Sequence, residues 1–99
     1  MTVAGEYQVI LDNIIRKYLP ETKIVLFGSR ARRTHNPGSD IDIALDNGKH
    51  ISWAIMGSIK EDIEESNIPF FVDVVDMHEV SDDMLRSIKR EGIEWIRNS

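Results

Sequence analysis

Asp40-Ile41-Asp42-Ile43-Ala44-Leu45 alternates between two kinds of side chain. A β-strand turns successive side chains to opposite faces, so Ile41, Ile43 and Leu45 form an apolar face that seeks a core. Asp40, Asp42 and Ala44 share the other face. The turn signal Asn36-Pro37-Gly38-Ser39 precedes this strand and Asp46-Asn47-Gly48 follows it. Two carboxylates on one strand face repel, and a shared divalent cation removes the conflict.

Upstream, Lys23-Ile24-Val25-Leu26-Phe27 is a β-rich apolar run that stops at Gly28, and Arg30 to Thr34 reads as a short helix or helical turn. Before it, Tyr7, Ile10, Leu11, Ile14, Ile15, Tyr18 and Leu19 recur at helical spacing until Pro20, which predicts an amphipathic helix over residues 4–19 with this stripe as core. Downstream, Ile51, Ile55, Ile59 and Ile63 repeat every four residues and predict a second long helix, broken by Asn67-Ile68-Pro69. Phe70 to Asp76 reads as a third strand. Ser81 then caps a last helix with Met84, Leu85 and Ile88 as its apolar positions and Gly92 as its C-cap, and Ile93 to Ile96 adds a short edge strand. Helices alternating with strands predict an α+β, two-layer fold: a small mixed sheet of three to four strands packed with helices.

With 99 residues the chain fits one domain, 1–99, and buries a modest core, which makes an oligomer or a hetero-complex expected. The 41% hydrophobic and 29% charged residues are ordinary for a globular protein, and no apolar run approaches a membrane span. Met1 to Glu6 lacks the pattern of a secretory signal, so a cytoplasmic location is expected. The absence of cysteine leaves oxygen or imidazole as metal ligands. A net charge of −5 argues against direct nucleic-acid binding, yet Arg30, Arg32 and Arg33 concentrate positive charge in one acid-free segment. His35, His50 and His78 lack metal-ligand spacing and read as structural or solvent-facing, and Trp53 and Trp95 as core or interface residues.

The third strand carries Asp73 on the face of Phe71 and Val75. If it neighbours the Asp40–Leu45 strand, three carboxylates can arrange two metal ions about 3.5–4 Å apart, Mg²⁺ or Mn²⁺ by their oxygen-only donors. Asp73 is then both ligand and general base. Asp76 falls on the opposite strand face and is the weaker candidate for the third ligand. Gly28-Ser29-Arg30 supplies what a phosphate group needs: a residue without a side chain, a hydroxyl with backbone donors, and a cation, with Arg32 or Arg33 adding charge.

Phe27-Gly28-Ser29, ten residues, then Asp40-Ile41-Asp42, resembles the signature of the polymerase-β nucleotidyltransferase superfamily, and Asp73 within Val72-Asp73-Val74 resembles its third carboxylate. The Gly-Ser-x10-Asp-x-Asp motif, with Gly28-Ser29-Arg30-Ala31-Arg32, is similar to that of the minimal nucleotidyltransferases, the MntA-like antitoxins paired with HEPN-domain toxins. That resemblance covers nearly the whole chain. It implies the polymerase-β-type fold, ATP as substrate, Mg²⁺ as cofactor, and transfer of AMP to a tyrosine hydroxyl of a HEPN-domain partner. Larger relatives carry C-terminal elements for gripping nucleotide or partner that this short chain is expected to lack, so the acceptor surface should come from another molecule. The alternative is a non-catalytic nucleotide-binding module that neutralises its partner by contact.

Overall fold

The computed structural model describes residues 3–28 and 40–95, with side chains from Tyr7 onward. The elements run α1 (Val3–Tyr18), β1 (Lys23–Phe27), β2 (Ile41–Asp46), α2 (Trp53–Glu64), β3 (Val72–Asp76), α3 (Asp82–Glu91) and β4 (Ile93–Trp95). The expected helix at Arg30–Thr34 and the turn at Asn36–Ser39 lie outside the described residues.

The four strands form one mixed sheet in the order β3-β2-β1-β4. β1 pairs antiparallel with both β2 and β4, whereas β2 and β3 run parallel. The parallel pair needs a crossover, which α2 provides. This is the mixed α+β sheet expected from the alternation of periodicities.

Ile24 and Leu26 of β1, Ile41, Ile43 and Leu45 of β2, and Val74 of β3 point to one face, where Leu11 and Ile15 of α1 and Ile59 and Ile63 of α2 close the core. Tyr18 donates to Asp62 Oδ2 at 2.6 Å and Lys17 reaches the same oxygen at 3.2 Å, tying the two helices together at their solvent edge. Phe70 meets the Tyr7 ring edge-on at 5.6 Å, so it belongs to the connection packed on α1 and not to the strand. Two residues of the expected apolar stripes, Ile10 and Met84, are exposed. Helical spacing is satisfied at both positions, but among the described residues nothing buries them.

Ser52 and Ser81 cap α2 and α3 by accepting from Ile55 N and Met84 N, each at 3.2 Å. Gly92 ends α3, but in extended conformation (φ −70°) and not in the left-handed C-cap form. Lack of a side chain is what the position needs: a Cβ there would collide with Ile88 O and Val25 Cγ1. α3 therefore lies close on the second face of the sheet, with Ile88 buried over the Val25 end. Trp95 closes the core, whereas Trp53 stands 88% exposed. Among the described residues, no helix is long and apolar enough to cross a membrane.

Candidate active site

The strand register decides which acids meet. Phe27 of β1 stands opposite Asp42 of β2, and Asp42 stands opposite Asp73 of β3. Residues directly opposite share a face, so Phe27, Asp42 and Asp73 form one row across the second face, with adjacent strands about 4.8 Å apart. The next row is Val25, Ala44 and Val75, towards the end that α3 covers. Asp42 is half-buried, and Asp73 and Asp40 are exposed. Continuing the register one step sets Asp40 opposite Phe71, whose carbonyl accepts from Ile41 N at 2.9 Å.

Gly28 follows Phe27 with φ +75°, a left-handed conformation that glycine adopts without a Cβ penalty. A Cβ at this position would overlap Asp42 Oδ2 and stand 3.1 Å from its Cγ. The bare backbone of the β1 terminus is thus what admits the Asp42 carboxylate. The structure sets Gly28 against Asp42 and aligns Asp42 with Asp73 across β2 and β3, with Asp40 one register step away opposite Phe71, while Ser29, Arg30, Arg32 and Arg33 lie outside the described residues.

This donor set fits a hard divalent cation. Carboxylates from neighbouring strands share an accessible face, neither nitrogen nor sulfur is part of the row, and the space that a Cβ at Gly28 would fill is kept for a carboxylate.

Asp76, the weaker candidate for third ligand, belongs elsewhere. It is 4% exposed on the core face, where Oδ2 accepts from Ile51 N at 2.8 Å and Oδ1 from His78 N at 2.9 Å. It locks the entry to α2 onto the end of β3. Among the described residues, His50, Asp76 and Glu79 hold possible ligand atoms within 4.8 Å of one another, with His50 hydrogen-bonded to Glu79. That group sits at the opposite ends of β2 and β3 from Asp42 and Asp73. Nearby, His78 Nε2 lies 2.8 Å from Asp46 Oδ1 and Gly48 N donates to the same oxygen at 3.0 Å. The His78 hydrogen bond, followed by that from Gly48, holds the Asp46 carboxyl below the usual carboxylate range. A cavity of about 250 Å³ beside α3, lined by Lys23, Val25, Asp46 and Ile88, also lies at this far end.

Two residues next to the acids carried little or no sequence signal. Phe71 is 66% exposed on the face of Asp73. Lys60 of α2 joins Phe71 and Asp73 in lining a groove of about 410 Å³. A large aromatic in phase with an acid is a readable anomaly for Phe71, but Lys60 is one of several charges on a solvated helix face.

Residues 11–99 match the family described as Polymerase beta, nucleotidyltransferase. The chain belongs to the polymerase β nucleotidyltransferase family. This nucleotidyltransferase is 26% identical over 90 residues to a probable protein adenylyltransferase MntA of Haemophilus influenzae, covering 91% of this chain and 79% of that protein. Among solved structures, a toxin–antitoxin with AMP-PNP aligns with TM-score 0.74 and 25% identity over 92% of this chain and 73% of the other. A tri-AMPylated Shewanella oneidensis HEPN toxin in complex with MNT antitoxin aligns with TM-score 0.65 and 22% identity over 89% and 71%, and shares the fold.

Proposed function

We propose that this nucleotidyltransferase transfers the AMP moiety of ATP to a hydroxyl, that of a tyrosine, on a HEPN-domain partner, and thereby acts as an antitoxin. The observation that carries the reading is the row of Asp42 and Asp73 on adjacent strands beside the left-handed Gly28. The 26% identity to a protein named as an adenylyltransferase supports the reaction type, the likeness to a toxin–antitoxin with AMP-PNP supports the nucleotide and the setting, and the Gly28-Ser29-x10-Asp40-x-Asp42 motif supports the HEPN partner.

Asp40, Asp42 and Asp73 would hold the divalent cations, Mg²⁺ by preference, in the two-ion arrangement. Bound there, Mg²⁺ supplies charge neutralisation for the triphosphate and for the developing leaving group. The chain's own groups do the rest. Gly28 brings bare backbone up to the phosphates, and Ser29, Arg30 and Arg32 add a hydroxyl and positive charge. Asp73, exposed at the rim of the row, takes the proton of the acceptor hydroxyl as its oxygen attacks.

The test is incubation of the purified chain with a HEPN-domain protein, sought first in the neighbouring gene, and α-labelled ATP in Mg²⁺. Label is expected on a partner tyrosine and is expected to disappear with Asp42→Ala. Undiminished labelling by that variant would refute the mechanism. Full neutralisation of the partner by Asp40→Ala and Asp42→Ala variants that no longer label it would favour neutralisation by contact alone.

A further inference from the structure

We infer that the acceptor segment of the partner protein binds as an extended strand along the open edge of β3, in the groove between that edge and α2. The inference rests on the proposed adenylyl transfer and specifies where its protein substrate sits.

Geometry of transfer leaves one direction for the acceptor. Gly28, Asp42 and Asp73 follow one another across the sheet on β1, β2 and β3. The β- and γ-phosphates belong on the Gly28 side, against bare backbone. In-line displacement requires the attacking oxygen opposite the departing pyrophosphate, and the ribose hangs from an equatorial position of the α-phosphorus. The acceptor therefore approaches from the Asp73 side, where the sheet ends. In that step the acceptor hydroxyl oxygen forms a bond to the α-phosphorus, the bond from that phosphorus to the bridging oxygen breaks, pyrophosphate leaves with the electron pair, and the hydroxyl proton passes to the Asp73 carboxylate.

The edge is built to receive a peptide. Among the described residues β3 is the outermost strand, paired only with β2. Ile41 N donates to Phe71 O and Met77 N donates to Leu45 O, so the backbone groups of Phe71, Asp73 and Val75 face β2. By strand alternation those of Val72 and Val74 face outward. Beside them the groove of about 410 Å³ is lined by Phe70 to Val74 and by Lys60, Ile63 and Glu64 of α2. An exposed edge with unpaired backbone groups is the surface to which a peptide adds a strand. A residue added in register opposite Asp73, on the same face, would bring its side chain beside that carboxylate, with the exposed Phe71 ring offering an aromatic neighbour for a tyrosine. Lys60 also lines a second groove, with the exposed Trp53, Met56 and Gly57, so an apolar strip continues along α2 away from the site and extends the footprint.

The experiment compares the unsubstituted chain with two variants, Phe71→Ala and Val72→Pro, using a HEPN-domain protein as acceptor. Phe71 is exposed, so its truncation leaves the fold alone. Proline at 72 removes an outward N–H and blocks an added strand without touching the β2 ladder. Labelling rates against acceptor concentration should give a KM for the partner raised about tenfold or more in both. Affinity for Mg²⁺–AMP-PNP, measured by calorimetry, should stay within about twofold of the unsubstituted chain. Unchanged KM in Phe71→Ala would overturn the inference while leaving adenylyl transfer standing. Loss of nucleotide affinity with unchanged partner KM would also overturn it, by assigning the groove to the base. If the unsubstituted chain binds nucleotide but labels nothing, the functional reading fails and the acceptor seat fails with it.

Discussion

Gly28 and Asp42 are coupled more tightly than their separation in sequence suggests, because the carboxylate occupies the volume that a side chain at 28 would fill. Gly28→Ala forces a left-handed residue to carry a Cβ, at about 1–2 kcal/mol, and displaces the Asp42 carboxylate as well. Transfer is expected to fall about 100-fold, the usual consequence of misplacing a reacting group by about 1 Å, and a thermal melt alongside the labelling assay separates the two effects. The acids of β3 make the complementary pair. Asp73 is exposed, so Asp73→Asn should leave stability within about 0.5 kcal/mol while lowering transfer by about 10²–10⁴. Asp76 accepts from two backbone N–H groups in the core. Asp76→Asn should cost about 1–3 kcal/mol in urea unfolding and leave the turnover of the folded fraction intact. The opposite pattern would reassign the third carboxylate to Asp76.

At the scale of elements, β2 was legible because its alternation has an apolar phase and an acid phase, each with one physical destination. The pairing of Asp42 with Asp73 was not legible: periodicity says which face a side chain takes, while neighbour and register come from the non-local docking of α2, which carries the chain across to a parallel β3. Met84 and Ile10 failed as core residues for the same reason, since helical spacing does not reveal where the opposing layer ends. The far ends of β2 and β3 are held by another contact without a sequence signature, His78 to Asp46. Because this bond and that from Gly48 lower the carboxyl's pKa in the folded protein, the stability it contributes is present above about pH 4 and is lost as pH falls through the depressed folded value. His78→Ala should return the Asp46 titration, followed by carboxyl NMR, towards the ordinary range. It should also make the acid limb of the stability curve shallower; an unaltered Asp46 titration would remove His78 as the cause.

The whole molecule places its helices unevenly. α1 and α2 close one face and α3 covers the far end of the other, while among the described residues no helix lies over the row of Asp42 and Asp73 and no strand pairs the outer edge of β3. A chain of 99 residues has little stability in reserve, so whatever binds that row should register in global unfolding. A ligand at 100 times its dissociation constant adds about 2.7 kcal/mol by mass action, which for a domain of this size raises Tm by about 10–20 °C. Mg²⁺–AMP-PNP should therefore raise the melting temperature, EDTA should abolish the rise, and Asp42→Ala should not support it. Asp76→Asn, although less stable at the start, should retain an equal increment because its carboxamide lies on the core face. This contrast separates binding from folding without recourse to activity. A rise that survives both EDTA and Asp42→Ala would place the nucleotide somewhere other than the carboxylate row.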